Sequence, residues 1–322
     1  MDLPRPRGPV SDLLVAALRR PPQELPQTRV TSTDPLRDED LQLTLFLCYE
    51  LHYQGWDGVD DGWEWQPSLL ALRAAAEAPF ERALRELVGP TPAIAPDEVP
   101  RALTAIVAAD DGPPLAGYLQ RRASLEQFRE FVRYRSIYHL KEADPHTWGI
   151  PRLAGPAKAA LIEIQIDEYG GGHLPRMHAE LFRTTMSWLG LDTRYLAYLD
   201  DVPAVTLAAN NLISLFGLHR RLRGALLGHL AAFEMTSSLP NRRYGNGLRR
   251  LGGTPAATRF YDEHVEADAV HEQIAAHDLC RSFATAHPGL AADVLFGAAA
   301  CLAVDRLVAE RLLLGWAARA AA

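Results

Sequence analysis

The sequence predicts an all-α protein, and three observations predict it. Apolar residues recur at helical spacing along most of the 322 residues. Alanine, leucine and arginine, all good helix formers, are abundant. No stretch of useful length alternates apolar and polar residues as a half-buried strand would.

Local signals place the elements. Residues 1–35 are proline-rich and read as irregular, apart from a short helix around Ser11–Arg20. Helices are expected over Leu36–Tyr53 and Gln66–Leu87. Pro90, Pro92, Pro96 and Pro100 make Gly89–Pro100 a linker or long loop. Helices near Arg101–Ala109, Leu115–Arg122 and Leu125–Lys141 follow. The last should end close to Glu142, because Pro145 biases its predecessor away from helical geometry. Ala154–Tyr169 is the next helix. Gly170, Gly171 and Gly172 break it, and Pro175 can open another running to about Leu189. Pro203–Leu218, Arg220–Ser237 and Asn246–Leu251 come next, then Pro255–His277 and Pro288–Ala318 after the stop at Gly252 and Gly253. The expected organisation is an irregular segment 1–35, N-terminal helices 36–110 packed on the core, and a core 111–322.

Bulk properties narrow the function. The formal net charge is −7 and no basic face is evident, which argues against nucleic acid as a partner. Cys48, Cys280 and Cys301 lie far apart, so neither a disulfide scaffold nor a zinc knuckle is suggested, and buried free thiols are expected. No run of eighteen apolar residues and no signal peptide is evident, so no membrane partner and a cytoplasmic location are expected.

The strongest chemical signal is His264-x-x-x-Asp268-x-x-His271. On a helix these residues point to about 0°, 40° and −20°, a narrow arc of one face. Ala257, Phe260, Ala267 and Ile274 neighbour that arc, so it is expected to face the core. Burying Asp268 without a partner is costly, and a metal would compensate it. From spacing alone, a metal and a satisfied set of core side chains are about equally good readings. Glu163, Asp167 and Glu168 lie among isoleucines before the glycine run, and His173 and His178 lie after it. The break lets the chain re-aim, so that an acid and a histidine meet. Adjacent Asp167 and Glu168 differ by about 100° and cannot both point the same way. Glu142 and Asp144 sit at a helix C-terminus, where the macrodipole opposes them unless a cation is near. No Glu-x-x-His pair of ferritin-like bundles occurs. Neither does an HExxH, P-loop, GxGxxG or Gly-x-Ser-x-Gly motif.

Glu-Ala-Asp-Pro-His at 142–146, Asp-Glu-Tyr-Gly-Gly-Gly at 167–172, Met177-His178-Ala179-Glu180 and the His264 motif together resemble the haem-oxygenase-like diiron oxidases, a family of iron-containing redox enzymes. The resemblance runs from about residue 125 to the end. It extends to Leu36–Leu87, where Cys48–Tyr53 looks like an additional family segment. It implies a seven-helix core without haem. It implies that Glu142, Glu168, His178, His264, Asp268 and His271 hold two iron ions, a ligand set that also suits manganese. Three carboxylates against two divalent ions would leave a net charge of +1. The implied activity is O2-dependent oxidation of a small amine, amino acid or fatty acid by N-oxygenation, desaturation or C–C cleavage. An external electron donor and a homodimer are compatible with it. Arg135, Tyr138 and His139 flank Glu142 on its helix and are candidates for the substrate pocket or for orienting a ligand. Glu234, in an apolar helix, is another, or a partner of Arg242 or Arg243. The competing expectation is a metal-binding or self-modifying helical protein without small-molecule turnover.

Overall fold

The computed structural model describes residues 1–321, the side chains at positions 267–269 excepted. Among the described residues the chain is 73% helical with no strand. The helices are α1 Pro9–Leu18, α2 Glu39–Glu50, α3 Pro67–Val88, α4 Val99–Ala108, α5 Leu115–Arg121, α6 Leu125–His139, α7 Asp144–Thr147 and α8 Gly155–Glu168. They continue as α9 His178–Trp188, α10 Ala204–Leu218, α11 Arg223–Arg250, α12 Pro255–Gln273, α13 Ser282–Ala286 and α14 Ala291–Ala321. Side-chain caps set several starts. Asp38 accepts from the backbone of Asp40 and Leu41 at α2, Ser124 from Gln127 at α6, and Thr254 from Ala257 at α12.

Two elements differ from the sequence expectation. The stretch between Ser237 and Asn246 reads as a break, yet α11 continues through Pro240 for 28 residues. A proline removes one backbone donor and disturbs one turn, and tertiary packing overrides that cost here. Gly245 and Gly247 contribute, since a Cβ at Gly247 would lie 2.6 Å from the Leu119 carbonyl oxygen. The helix expected to run to His277 changes at Ile274 into a π-helical segment, Ile274–Arg281. Apolar periodicity does not separate one wide turn from an α-turn.

The core is built around α11 and α14, which touch backbone to backbone. A Cβ at Gly228 would lie 1.8 Å from the Val294 oxygen, and one at Gly297 would lie 1.9 Å from the Ala225 oxygen. The N-terminal helices pack onto this core. Leu41, Leu45 and Tyr49 of α2 and Phe80 of α3 share one apolar cluster with Phe216 of α10 and Phe296 of α14. A fully desolvated ion pair ties the two parts, with Lys141 Nζ 2.9 Å from Glu50 Oε2. Leu14 and Leu18 of α1 are buried against Trp63 and Leu47. All three cysteines are free and buried. Among the described residues, no helix is long and apolar enough to cross a membrane.

Candidate metal centre

Two breaks in helical geometry aim the first candidate ligands. Helix α6 ends at His139, and Ala143 takes a left-handed φ of 75°, which turns the chain into α7. That conformation is costly for a residue with a Cβ. It is braced by hydrogen bonds to the Ala143 carbonyl from Gln165 Nε2 at 3.2 Å and Thr147 Oγ1 at 3.1 Å. Glu142 is buried as a result, whereas the alternative acid Asp144 accepts a 2.6 Å bond from the Tyr169 hydroxyl. The second break is the glycine run, where Gly170, Gly171 and Gly172 all have positive φ. A Cβ at Gly170 would also lie 2.6 Å from the Met177 nitrogen, so only glycine fits. The break brings Glu168, last in α8, to His178, first in α9, with Nδ1 3.1 Å from Glu168 Oε2.

The ligand atoms of Glu142, Glu168, His178 and His264 all lie within 4.8 Å of one another. So do those of Glu168, Glu234 and His271, and Glu168 belongs to both groups. The side chain of Asp268, the remaining residue of the expected set, lies outside the described residues.

Neighbouring groups orient the donors. His264 Nδ1 donates to the Phe260 carbonyl at 2.8 Å, which leaves Nε2 facing Glu142 Oε1 at 3.7 Å. His271 places Nε2 2.9 Å from Asp167 and Nδ1 3.4 Å from Glu234. Asp167 therefore grips His271 from its solvent side while Glu168 turns inward, which resolves the two adjacent acids. His139 Nδ1 lies 2.8 Å from Glu142 Oε1. Glu142 Oε2, His178 Nδ1 and His271 Nδ1 are buried without an aligned hydrogen-bond partner among the described residues. Buried, unsatisfied carboxylate and imidazole donors that converge this way fit a divalent cation such as iron.

Charges at the two groups differ. Burial pushes the Glu142 carboxyl up, but the His139 and His264 imidazoles hold it well below the usual carboxylate range. Glu168 is likewise lowered, with burial opposed and outweighed by His178. Glu234 is raised, because burial dominates over its contact with His271. Burial disfavours the charged form of His271, yet Glu234 and Asp167 lift it to about 9.

A cavity of about 660 Å³ opens beside these ligands. Arg135, Tyr138, His139 and Glu234 all line it. Glu234 does more than line it, since it joins the second ligand group and is paired with His271 rather than with Arg242 or Arg243. Its signal in the sequence was a lone acid directly after the apolar run Leu230–Phe233. Two further groups were not singled out as site residues. Asp167 is one. The other is a buried pair, His146 Nε2 and His229 Nδ1 at 3.2 Å, which burial keeps neutral, with His146 lowered to about 4.

A family model described as iron-containing redox enzyme matches residues 129–306. The match takes in every residue of both ligand groups and agrees with an all-α, haem-oxygenase-like fold. Over 161 residues the chain is 28% identical to a nitrosourea synthase from Streptomyces achromogenes subsp. streptozoticus. The alignment covers 49% of this chain and 34% of that relative, so the chain spans about a third of the length of the protein it matches.

Proposed function

This chain belongs to the iron-containing redox enzyme family, and we propose that within it the chain is a non-haem diiron oxygenase that uses O2 to oxidise a small organic substrate. The observation that carries this reading is the sharing of Glu168 between two adjacent ligand groups. One carboxylate between two groups of nitrogen and oxygen donors is what a pair of metal ions needs. In this reading Glu142, His178 and His264 hold one iron, Glu234 and His271 hold the other, and Glu168 lies between them. Asp268 adds to the second iron on the strength of its helical spacing. Mixed imidazole and carboxylate donors suit iron or manganese. With Glu234 counted, four carboxylates balance two divalent ions, where the three expected from sequence left a net charge of +1.

When bound, two irons would supply the electrons and the binding site for O2. The chain's own residues do the rest. The Phe260 carbonyl takes Nδ1 of His264 and Asp167 takes Nε2 of His271, which sets which nitrogen each ring turns towards the site. His139 holds one oxygen of Glu142 and leaves Oε2 free. The Phe233 and Phe182 rings in the cavity wall exclude water from the reacting end.

Among the oxidations compatible with such a site we favour N-oxygenation of an amine. A nitrosourea carries an oxidised nitrogen, and a relative named for making one aligns with 49% of this chain. The N-terminal helices, residues 36–110, belong to the same functional unit in this reading, because α2 grips Lys141 beside Glu142.

The test is anaerobic Fe(II) loading of the full chain, metal analysis, then exposure to O2 under optical and Mössbauer spectroscopy. Two irons per chain with a coupled-pair spectrum and O2 uptake are expected. A single isolated iron, or two irons without O2 uptake, would sink the proposal.

A further inference from the structure

Three arginines crowd together at one corner of the fold without an acid to match them. The run His219-Arg220-Arg221-Leu222-Arg223 joins α10 to α11, and folding brings Arg152 to it. Arg152 donates to the carbonyls of Gly217 and Leu218, the second at 2.9 Å. Arg223 Nη1 donates to the Arg220 carbonyl at 3.0 Å. Within the run, Glu77 takes His219 and Glu81 takes Arg221. Arg152, Arg220 and Arg223 make no ion pair among the described residues, and the exposed Arg220 side chain makes no hydrogen bond among them. Burial, then the charges of Arg220 and Arg223, depress the Arg152 guanidinium. Burial and Arg220 depress Arg223 as well, with Asp293 opposing them. The start of α11 has no side-chain cap and no acid in its first turn, which adds to the positive field. All this stands in a chain of net charge −7.

Two elements run from this corner to the candidate ligands. Along α11, Arg223 is followed by His229 about 9 Å further on, and then by Glu234. Glu142, His146 and Arg152 follow one another along α7 and the turn after it. The two histidines meet, with His146 Nε2 3.2 Å from His229 Nδ1. Aromatic rings continue the line. Phe216, next to Gly217, lies 6.5 Å from His229, and His229 lies 4.4 Å from Phe233, the neighbour of Glu234. The proposed reaction needs electrons from outside. Placing one atom of O2 on an amine nitrogen and releasing the other as water takes two electrons and two protons beyond the electron pair that the amine gives. Two Fe(II) ions supply those electrons once, becoming Fe(III), and a carrier has to return them. We propose that Arg152, Arg220 and Arg223 form the docking surface for an acidic one-electron carrier protein, which hands its electrons to the metal pair at the other end of this line. The diiron reading gives the docking its purpose, but the docking itself does not depend on it. Arg220 makes the contact, and half-buried Arg152 and buried Arg223 add the field that steers an acidic face onto it. A long polyanion such as a nucleic acid would also meet the negative remainder of the chain, which a compact acidic face avoids.

The experiment is calorimetry on the metal-free full chain with two acidic carriers, an oxidised plant-type [2Fe–2S] ferredoxin and an oxidised flavodoxin, at low and at high salt. At least one is expected to bind at low salt and to weaken as salt rises. Arg220→Glu should weaken that binding about tenfold or more, because it reverses the exposed charge. Arg122→Glu makes the same change at the other end of α11, where Arg250 holds the Ala123 carbonyl, and should leave binding as it was. In the iron-loaded chain, stopped-flow reduction by the reduced carrier should slow in Arg220→Glu and not in Arg122→Glu. Binding by neither carrier, binding or reduction that Arg220→Glu leaves unchanged, or a DNA duplex bound more tightly than both carriers overturns the docking surface. Iron analysis is separate: docking that holds in a chain that takes up only a single iron counts against the diiron reading alone.

Discussion

The two candidate ligand groups that share Glu168 are built differently. The first gathers Glu142, His178 and His264 from three elements, each aimed by a backbone device: a left-handed residue, a glycine break and a hydrogen bond to a carbonyl. Its carboxylate is held below the usual range by imidazoles. The second takes Glu234 and His271 from the middle of α11 and the last turn of α12. Its acid is raised by burial, its histidine is lifted to about 9, and its brace, Asp167, has a side chain 59% exposed. The first group is charged for a cation before one arrives. The second must lose protons to receive one. The difference teaches that a pair of adjacent sites can fill in a set order without any change of fold.

Removing the shared residue should have the largest effect. Glu168→Ala is expected to lower bound iron from two per chain to near none, and a variant that retains a full pair would separate the groups altogether. Next come His264→Ala and His271→Ala. Each is expected to lose one iron and keep the other, with the first group lost in His264→Ala and the second in His271→Ala. Metal analysis with spectroscopy of the remaining ion checks this, and identical losses in both variants would break the comparison.

Acidity should then separate the groups in the unmutated chain. Protons compete with metal at Glu234 and His271, so occupancy of the second group should rise as pH climbs from about 6 towards 9, while the first stays filled. In the metal-free chain the sign reverses. The folded pKa of His271 lies above its ordinary value, so its contribution to stability is full below about 6.5 and is lost as pH rises through about 9. Thermal melts across that range check it, and a melting temperature that rises towards pH 9 would contradict the assignment. A smaller effect is expected from Asp167→Asn. It should weaken iron at the second group by about 10- to 100-fold without touching the first, since the brace on a ligand histidine is altered and the ligand is kept. The smallest concerns the backbone, where Ala143→Gly relieves a left-handed alanine and should stabilise the chain by about 1 kcal/mol in denaturant melts.

Much of this was legible in the sequence because it depends on periods and breaks. The helical phase of His264 and His271 follows from 100° per residue, and both are buried as that phase required. Three consecutive glycines announce a break wherever they fall, and the meeting of Glu168 with His178 depends on it. Other features were hidden for physical reasons. Continuity of α11 through Pro240 depends on packing against other helices, which no local signal carries. The π segment after Gln273 keeps the apolar pattern of an α-helix. The place of Glu234 beside His271 is set by how α11 and α12 pack, so a lone acid in an apolar run could have met an arginine as readily as a histidine.

The crossing of α11 and α14 at Gly228 and Gly297 has a consequence for how this chain could be re-engineered. These two helices form one corner of the cavity, with Glu234 on α11 and Asp305 on α14. Their backbones touch with no side chain between them, so neither can slide, roll or move inward to accommodate a larger guest. That corner behaves as a fixed jaw. Room for a bulkier molecule has to be made elsewhere in the wall, such as at residues 112–114, which precede α5. Substitutions directed at that loop should widen the range of molecules accepted, whereas replacing either glycine should pry apart the helix that carries Glu234 and cost metal before it gains space.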